Sequence, residues 1–420
     1  MDGAERQVRT RRVFHIPGYD PIHPRRYREL YRKESAAQAK ISGYQIGIRP
    51  AKSDDSYRWV VGAEMDGKAV AAQIDVLVWS DIVRDSMAQS IPATYLQMLR
   101  TAWIYIGSGA LRRLMWMRKG PVIAALYPVA FLVGQLMLAI AAGWLVGRGV
   151  VALLGSGLGL IGLGEVAVVG WVLFILHWFF VGLVATVVIR WFKSIDNRIF
   201  AYYLMHDYAF SAQFNGANPP VLERRMAQFA DQIAKALSDD VDEVLVVGHS
   251  SGAHLAVSIL ADLIRDGRVP ARGPALAFLS LGQVVPMVSF LPKAKRLRAD
   301  LAFLAGSDAL TWIDVSAPGD GCCFALCDPV AVSGVAPADK RWPLVISAAF
   351  TQTLSPERWR SLRWRFFRLH FQYLCAFDQP RDYDYFKITA GPRLLRDRFA
   401  GRGPSASRID VPASPYTSQA

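Results

Sequence analysis

Val244-Leu245-Val246-Val247-Gly248-His249-Ser250-Ser251-Gly252-Ala253-His254-Leu255 is the stretch on which the reading of this 420-residue chain turns. Val244 to Val247 is an unbroken apolar run, mostly β-branched, which predicts a strand buried on both faces. From residue 251 to about 266 the spacing of apolar residues suits a helix. A Gly-x-Ser-x-Gly pentapeptide joins the two. So tight a turn forces the serine into a strained backbone conformation, and bulk at Gly248 or Gly252 would clash with strand or helix. The result is an Oγ held at the end of a strand, above a helix N-terminus whose dipole favours developing negative charge. The pentapeptide alone is a weak signal. The strand before it and the helix after it predict a nucleophile elbow.

Further strands lie on either side of this centre. Residues 221–237 form an amphipathic helix leading into the elbow strand, with Leu222, Met226, Phe229, Ile233 and Leu237 on one stripe. Downstream, residues 275–282 and 311–316 read as buried strands, and 344–348 as a further short one. The second of these runs into Ala317-Pro318-Gly319-Asp320, which puts a carboxylate in a loop at a strand's C-terminal end. Near the N-terminus, residues 11–16 read as a strand ending in Pro17-Gly18-Tyr19-Asp20. Residues 24–40 are helix-prone, with Tyr27, Leu30 and Tyr31 on one face. Strand-like runs follow at 43–48, 57–64 and 69–79, with Met65-Asp66-Gly67-Lys68 as a hairpin turn. The pattern predicts an α/β protein with a mostly parallel sheet flanked by helices.

The hydrophobic share of 52% and mean hydropathy of +0.21 are high for a wholly soluble protein. Residues 120–147 carry no charge and only Gln135 as a strongly polar side chain. Residues 166–189 form a second such run, interrupted only by His177 and Thr186. About 20 apolar residues cross a bilayer core, so spans at about 121–147 and 166–189 make a transmembrane hairpin. The glycine-rich 149–164 between them, bounded by Arg148 and Glu165, reads as a loop or short interfacial helix. Arg112, Arg113, Arg118 and Lys119 precede the first span; Arg190, Lys193 and Arg198 follow the second. This asymmetry predicts a cytoplasmic-membrane protein with its soluble portions and both termini on the cytoplasmic side. The net charge of +13 suits nucleic acid or an anionic membrane, and the spans favour the membrane.

The charged residues 1–12 lack the apolar core of a secretory leader. Cys322, Cys323 and Cys327 cluster without zinc-spaced partners, and with Cys375 they are expected as reduced thiols. Residues 359–371 mix Trp359, Trp364, Phe366 and Phe367 with Arg360, Arg363, Arg365 and Arg368. This is either a face near anionic headgroups or an ordinary solvated helix face. The expected organisation is an α/β domain in two parts, residues 10–100 and 201–400. A membrane insertion at 101–200 separates them, and a disordered Ser/Pro/Gly-rich tail occupies 401–420.

A serine nucleophile needs a base, and the base an orienting carboxylate. His177 lies in a span, and His249 and His254 sit beside the serine. His15, His23 and His206 precede it. His370 alone follows the candidate acid, so Ser250, Asp320 and His370 stand in the Ser…acid…His order of an α/β sheet. Asp328, in the same following loop, is the alternative acid, and Asp314, inside the strand, ranks third. The backbone N–H groups of Tyr19 and Ser251 are candidate oxyanion donors, with an ordinary strand-to-helix turn as the plainer reading of the first.

The chain resembles serine hydrolases of the α/β-hydrolase fold, of the lipase/esterase type. The resemblance rests on residues 15–19, Gly248-His249-Ser250-Ser251-Gly252, 279–282, 312–320 and His370-Phe371-Gln372-Tyr373, and spans roughly 10–80 and 215–390. It implies a nucleophilic Ser250, acid Asp320, base His370 and an oxyanion hole at Tyr19 and Ser251. It also implies no metal or organic cofactor. The expected partners are the bilayer and a small-molecule or lipid ester, with no nucleic acid. Acyl transfer to another alcohol, or an inactive binding module on a membrane anchor, are the alternatives. The chain departs from the family pattern in two places. The usual strand pair ahead of the oxyanion loop is missing or displaced, and about 120 residues carrying the spans interrupt the fold before the elbow strand.

Overall fold

The computed structural model describes residues 7–51, 56–163 and 166–420. Residues 1–6 of the charged N-terminus, and Gly164 and Glu165 of the connector, lie outside that set. The chain divides into two compact units. The first comprises Met1–Ala88, Thr101–Val122 and Phe210–Ala420; the second comprises Gln89–Arg100 and Ile123–Ala209.

The first unit is built on one sheet. Its strands are β1 (Thr10–Ile16), β2 (Gln45–Pro50), β3 (Tyr57–Met65), β4 (Lys68–Val76), β5 (Glu243–His249), β6 (Ala275–Leu281), β7 (Thr311–Ser316) and β8 (Leu344–Ser347). Their spatial order is β2-β3-β4-β1-β5-β6-β7-β8. The pairings β2–β3 and β3–β4 are antiparallel, and all others are parallel. Every residue of β5 is buried, as its unbroken apolar run requires of a central parallel strand. The β3–β4 turn is a two-residue loop with Asp66 and Gly67 both at positive φ, a primed turn that matches strand twist. Strands β2 and β3, which follow β1 in the chain, form one edge of the sheet.

The helix Gly252–Arg265 packs on β5, β1 and β6, with Pro220–Leu237 and Lys295–Gly306 beside it. A large apolar cluster joins the sheet to Tyr27 and Tyr31 of Arg25–Ser42 and to C-terminal residues such as Tyr373 and Phe386. Register aligns the sheet's functional edge: Gly248 lies opposite Ile16 and Ser280, and Ser280 opposite Asp314. The loops leaving β1, β5, β6 and β7 therefore emerge together.

Two expectations need correction in this unit. Residues 359–371 are not one helix. Pro356–Leu362 and Phe366–His370 are separate helices with a turn between, because Trp359 packs on Gly319 while Phe366 packs on Gly321. The tail at 401–420 is not disordered. Ser405 N–H donates to Val345 O, Ile409 N–H to Leu326 O, and Ala413 N–H to Val332 O. Backbone hydrogen bonds to β8, to the loop after β7 and to the Pro329–Val332 helix hold this tail despite a composition too polar to build a core.

Two helices, Lys119–Leu160 and Ala167–Ser194, are long and apolar enough to cross a membrane. The first does not end near residue 147 but runs on through Gly149, Gly155, Gly157 and Gly159. Each glycine costs a helix about 1 kcal/mol relative to alanine. The helix pairs backbone N–H and C=O groups along this stretch, and that gain exceeds the cost. Within the second unit the two helices touch through Gly143 and Gly147, a Gly-x-x-x-Gly pair. A Cβ at Gly143 would lie 2.6 Å from Val181 O, and one at Gly147 would lie 2.8 Å from His177 O. His177 is thus a packed interface residue. Gln135 is buried, its amide donating to Tyr95 Oη at 3.0 Å and Tyr202 Oη at 2.8 Å.

Candidate active site

Ser250 sits at φ +56°, in the left-handed region that the sharp turn imposes on it. Its N–H donates to Leu281 O at 2.9 Å, and its C=O accepts from Ala253 N–H at 3.1 Å. The flanking glycines are required by close backbone approach. A Cβ at Gly252 would fall 2.1 Å from Ile16 O, and one at Gly248 would fall 2.7 Å from Ala253 Cα. The loop after β1 presses directly on the serine, since a Cβ at Gly18 would lie 2.9 Å from Ser250 Cβ. Trp79 Nε1 anchors this loop through Pro17 O at 3.0 Å. Asp20 braces its end, accepting from Tyr27 Oη at 2.8 Å and Arg26 at 3.0 Å. Ser251, buried at the N-cap of Gly252–Arg265, and Tyr19 thus lie on the two segments flanking Ser250.

Asp320 and His370 meet. His370 Nδ1 is 2.7 Å from Asp320 Oδ2, and both side chains are buried. The same carboxylate oxygen accepts from Tyr373 Oη at 3.0 Å, while Oδ1 accepts from Cys322 N–H at 2.9 Å. Tyr373 Oη in turn accepts from Ala317 N–H at 3.0 Å. Burial works to raise the Asp320 pKa, but the charge and hydrogen bond of His370, with the Cys322 N–H, outweigh it and hold the carboxyl below its usual range. Burial drives the Tyr373 hydroxyl well up, so it remains a donor.

Gly282, just after β6, leaves room for the His370 ring. A Cβ there would lie 3.1 Å from His370 Cε1 and 2.7 Å from Tyr373 Cε2, so only glycine at φ +52° leaves room for both rings. His249, next to the serine, lies against His370 with ring centroids 4.7 Å apart and the ring planes tilted by 35°. Its Nε2–H donates to His370 O at 3.0 Å, the only role open to a ring nitrogen facing a carbonyl. Burial, and then the neighbouring His370 and His15, lower the His249 pKa well below the usual histidine value, so the ring is neutral. Among the described residues no hydrogen bond joins Ser250 Oγ to His370.

The other acids are employed elsewhere. Asp328 pairs with Lys340 at 2.7 Å and accepts from Val330 and Ala331 N–H at the start of a short helix. Asp314 is buried in β7 beside the Ser280 hydroxyl at 2.5 Å, and burial pushes its carboxyl up to about 8. His254, on the elbow helix, is held by burial at about 4, and His15 at about 3. All four cysteines are free thiols.

Asp320, Cys322 and His370 also offer ligand atoms within 4.8 Å of one another. A cation there would need the lone pair of a ring nitrogen whose proton now faces the carboxylate. The place of His249 beside the serine marks it as a residue that shapes the site; the contact of Tyr373 with Asp320 has no local signal beyond its position three residues after His370. No family model, curated protein or solved structure matches this chain.

Proposed function

We propose that this chain is a membrane-tethered serine hydrolase of the α/β-hydrolase type, cleaving carboxylic esters through Ser250, His370 and Asp320. The observation that carries the reading is the buried 2.7 Å contact of His370 with Asp320, three residues from a tyrosine on the same carboxylate and against the ring of the residue preceding Ser250. A carboxylate on Nδ1 selects the tautomer whose Nε2 accepts a proton. His370 Nε2 takes the Ser250 proton as Oγ attacks the ester carbonyl. The N–H groups of Tyr19 and Ser251 stabilise the oxyanion, the alcohol leaves with the proton from His370, and water resolves the acyl-enzyme. The Oγ–Nε2 hydrogen bond closes on substrate binding, as such contacts commonly tighten only in the complex.

The Lys119–Leu160 and Ala167–Ser194 helices support tethering, and the cationic flanks support a cytoplasmic orientation. A bilayer-resident or lipid-like ester is the substrate class that such tethering favours. An active-site-directed fluorophosphonate should label the wild-type chain and not Ser250→Ala; equal labelling, or none, rejects the reading. Acyl esters of increasing chain length, with water or an added alcohol as acceptor, separate hydrolysis from acyl transfer. A reporter fused after Ala420 should remain cytoplasmic; an exported reporter reverses the orientation.

A further inference from the structure

The turn between the Pro356–Leu362 and Phe366–His370 helices is exposed, and it carries Arg363, Trp364 and Arg365, followed by Phe366 and Arg368. Trp364 is 72% exposed and Phe366 49%. The helix Ala110–Met117 presents a matching set. Leu114 and Met117 are buried, while Arg112, Arg113 and Trp116 face outward, Trp116 at 76% exposure. The residues that directly follow this helix, and Phe366 of the other stretch, both reach the loop that carries Asp320. A Cβ at Gly120 would lie 3.2 Å from Gly321 Cα, and one at Gly321 would lie 3.3 Å from Phe366 Cδ1. Arg118 Nε donates to Ala325 O of the same loop at 2.7 Å.

Among the described residues, no ion pair involves Arg112, Arg113, Lys119, Arg363, Arg365 or Arg368. What sets this surface apart is the pairing of such cations with exposed aromatic rings, Trp116, Trp364 and Phe366; in the cleft of about 370 Å³ at Thr311 and Leu344, Lys340, Arg402 and Arg408 each hold a carboxylate at 2.7–2.8 Å. Unpaired guanidinium groups set among exposed indole and phenyl rings match the headgroup zone of a bilayer. The planar fork binds phosphate oxygens bidentately, and the amphipathic ring sits at the interface. The surface is also continuous in the chain with a candidate span, for Lys119 opens the Lys119–Leu160 helix three residues after Trp116.

We propose that the Arg363–Arg368 stretch and the Ala110–Met117 helix together form a docking surface for anionic lipid headgroups. It lies beside the loop of Asp320 and on the segment ending in His370. The proposal does not depend on the chemistry at Ser250.

The test uses the full chain in nanodiscs of phosphatidylcholine, with or without about 30% phosphatidylserine. Trp364→Cys carries an environment-sensitive dye, and the labelled parent chain supplies the background from native cysteines. The dye should shift to the blue in anionic discs only, and the shift should be lost at high salt and in an Arg365→Glu/Arg368→Glu background. Arg365→Lys/Arg368→Lys, which keeps the charge, should retain most of it. A dye that stays in water in both discs overturns the proposal and leaves the face to a protein partner. An equal shift in neutral discs, or equal loss in the lysine and glutamate variants, overturns the role assigned to headgroup charge.

Discussion

Three carboxylates lie in or just after β7, and they differ in what surrounds their oxygens. Asp320 has a histidine, a tyrosine and a backbone N–H on it; Asp328 has a lysine and a helix start; Asp314 has one hydroxyl. Asp320→Asn should therefore lower ester turnover about 10³- to 10⁴-fold while leaving the fold intact. Asp328→Asn should leave turnover near the parent and lower stability by about 1–3 kcal/mol, read as the unfolding midpoint in detergent. If Asp328→Asn is the inactive variant, the acid is misassigned. The buried histidines set the acid limit. Burial puts His15 at about 3 and His254 at about 4 in the folded chain, below the usual 6.5. The unfolded chain then binds more protons, so stability present above pH 6.5 is lost as pH falls from there toward 3. Neither ring nitrogen of His15 has a partner among the described residues. His15→Phe should remove up to about 1 kcal/mol of that loss per pH unit, seen as a shallower fall of the midpoint between pH 6 and 4. An unchanged slope would mean that His15 titrates elsewhere.

At the scale of elements, the site is a consequence of register. Because β1 and β5 are parallel with Ile16 opposite Gly248, the Pro17–Tyr19 loop has nowhere to go but over the serine. Gly18→Ala places a methyl against Ser250 Cβ and should push that loop aside. Losing one oxyanion donor predicts turnover down about 10²- to 10³-fold with a nearly parental midpoint. Gly252→Ala instead strikes the Ile16 and Pro17 carbonyls, and should cost folded protein before it costs activity. Comparing turnover with the yield of folded chain distinguishes the two. The strands and the strand–turn–helix around Ser250 were legible because alternation, apolar runs and turn residues are local signals. The break between Pro356–Leu362 and Phe366–His370 was not. Arg363 to Arg365 carry no glycine or proline, and the break follows from two aromatic anchors seeking two different glycines.

At the scale of the molecule, distant ends of the chain are tied to the middle of the sheet. Arg11 of β1 pairs with Glu243 of β5 at 2.6 Å, both fully buried, and its remaining donors hold Gly391 and Arg393 C=O. Glu243 also accepts from Leu395 N–H at 2.7 Å. Glu243→Gln leaves a guanidinium buried without its counter-charge and should cost about 3–5 kcal/mol. Arg11→Met/Glu243→Leu should recover part of it, and denaturation of single and double variants in detergent checks both. The tail, polar enough to read as disordered, is held separately by backbone bonds to Val345, Leu326 and Val332, partners that composition cannot reveal. Local pattern along the chain was enough for the strand–turn–helix around Ser250, the two apolar helices and the candidate order of serine, acid and base, because periodicity and turn chemistry act over a few residues. Which carboxylate faces His370, that Tyr373 and His249 brace the pair, and how Gly143 and Gly147 seat the second apolar helix depend on long-range packing. Those partners lie tens to more than a hundred residues apart, and nothing in either local stretch specifies the other.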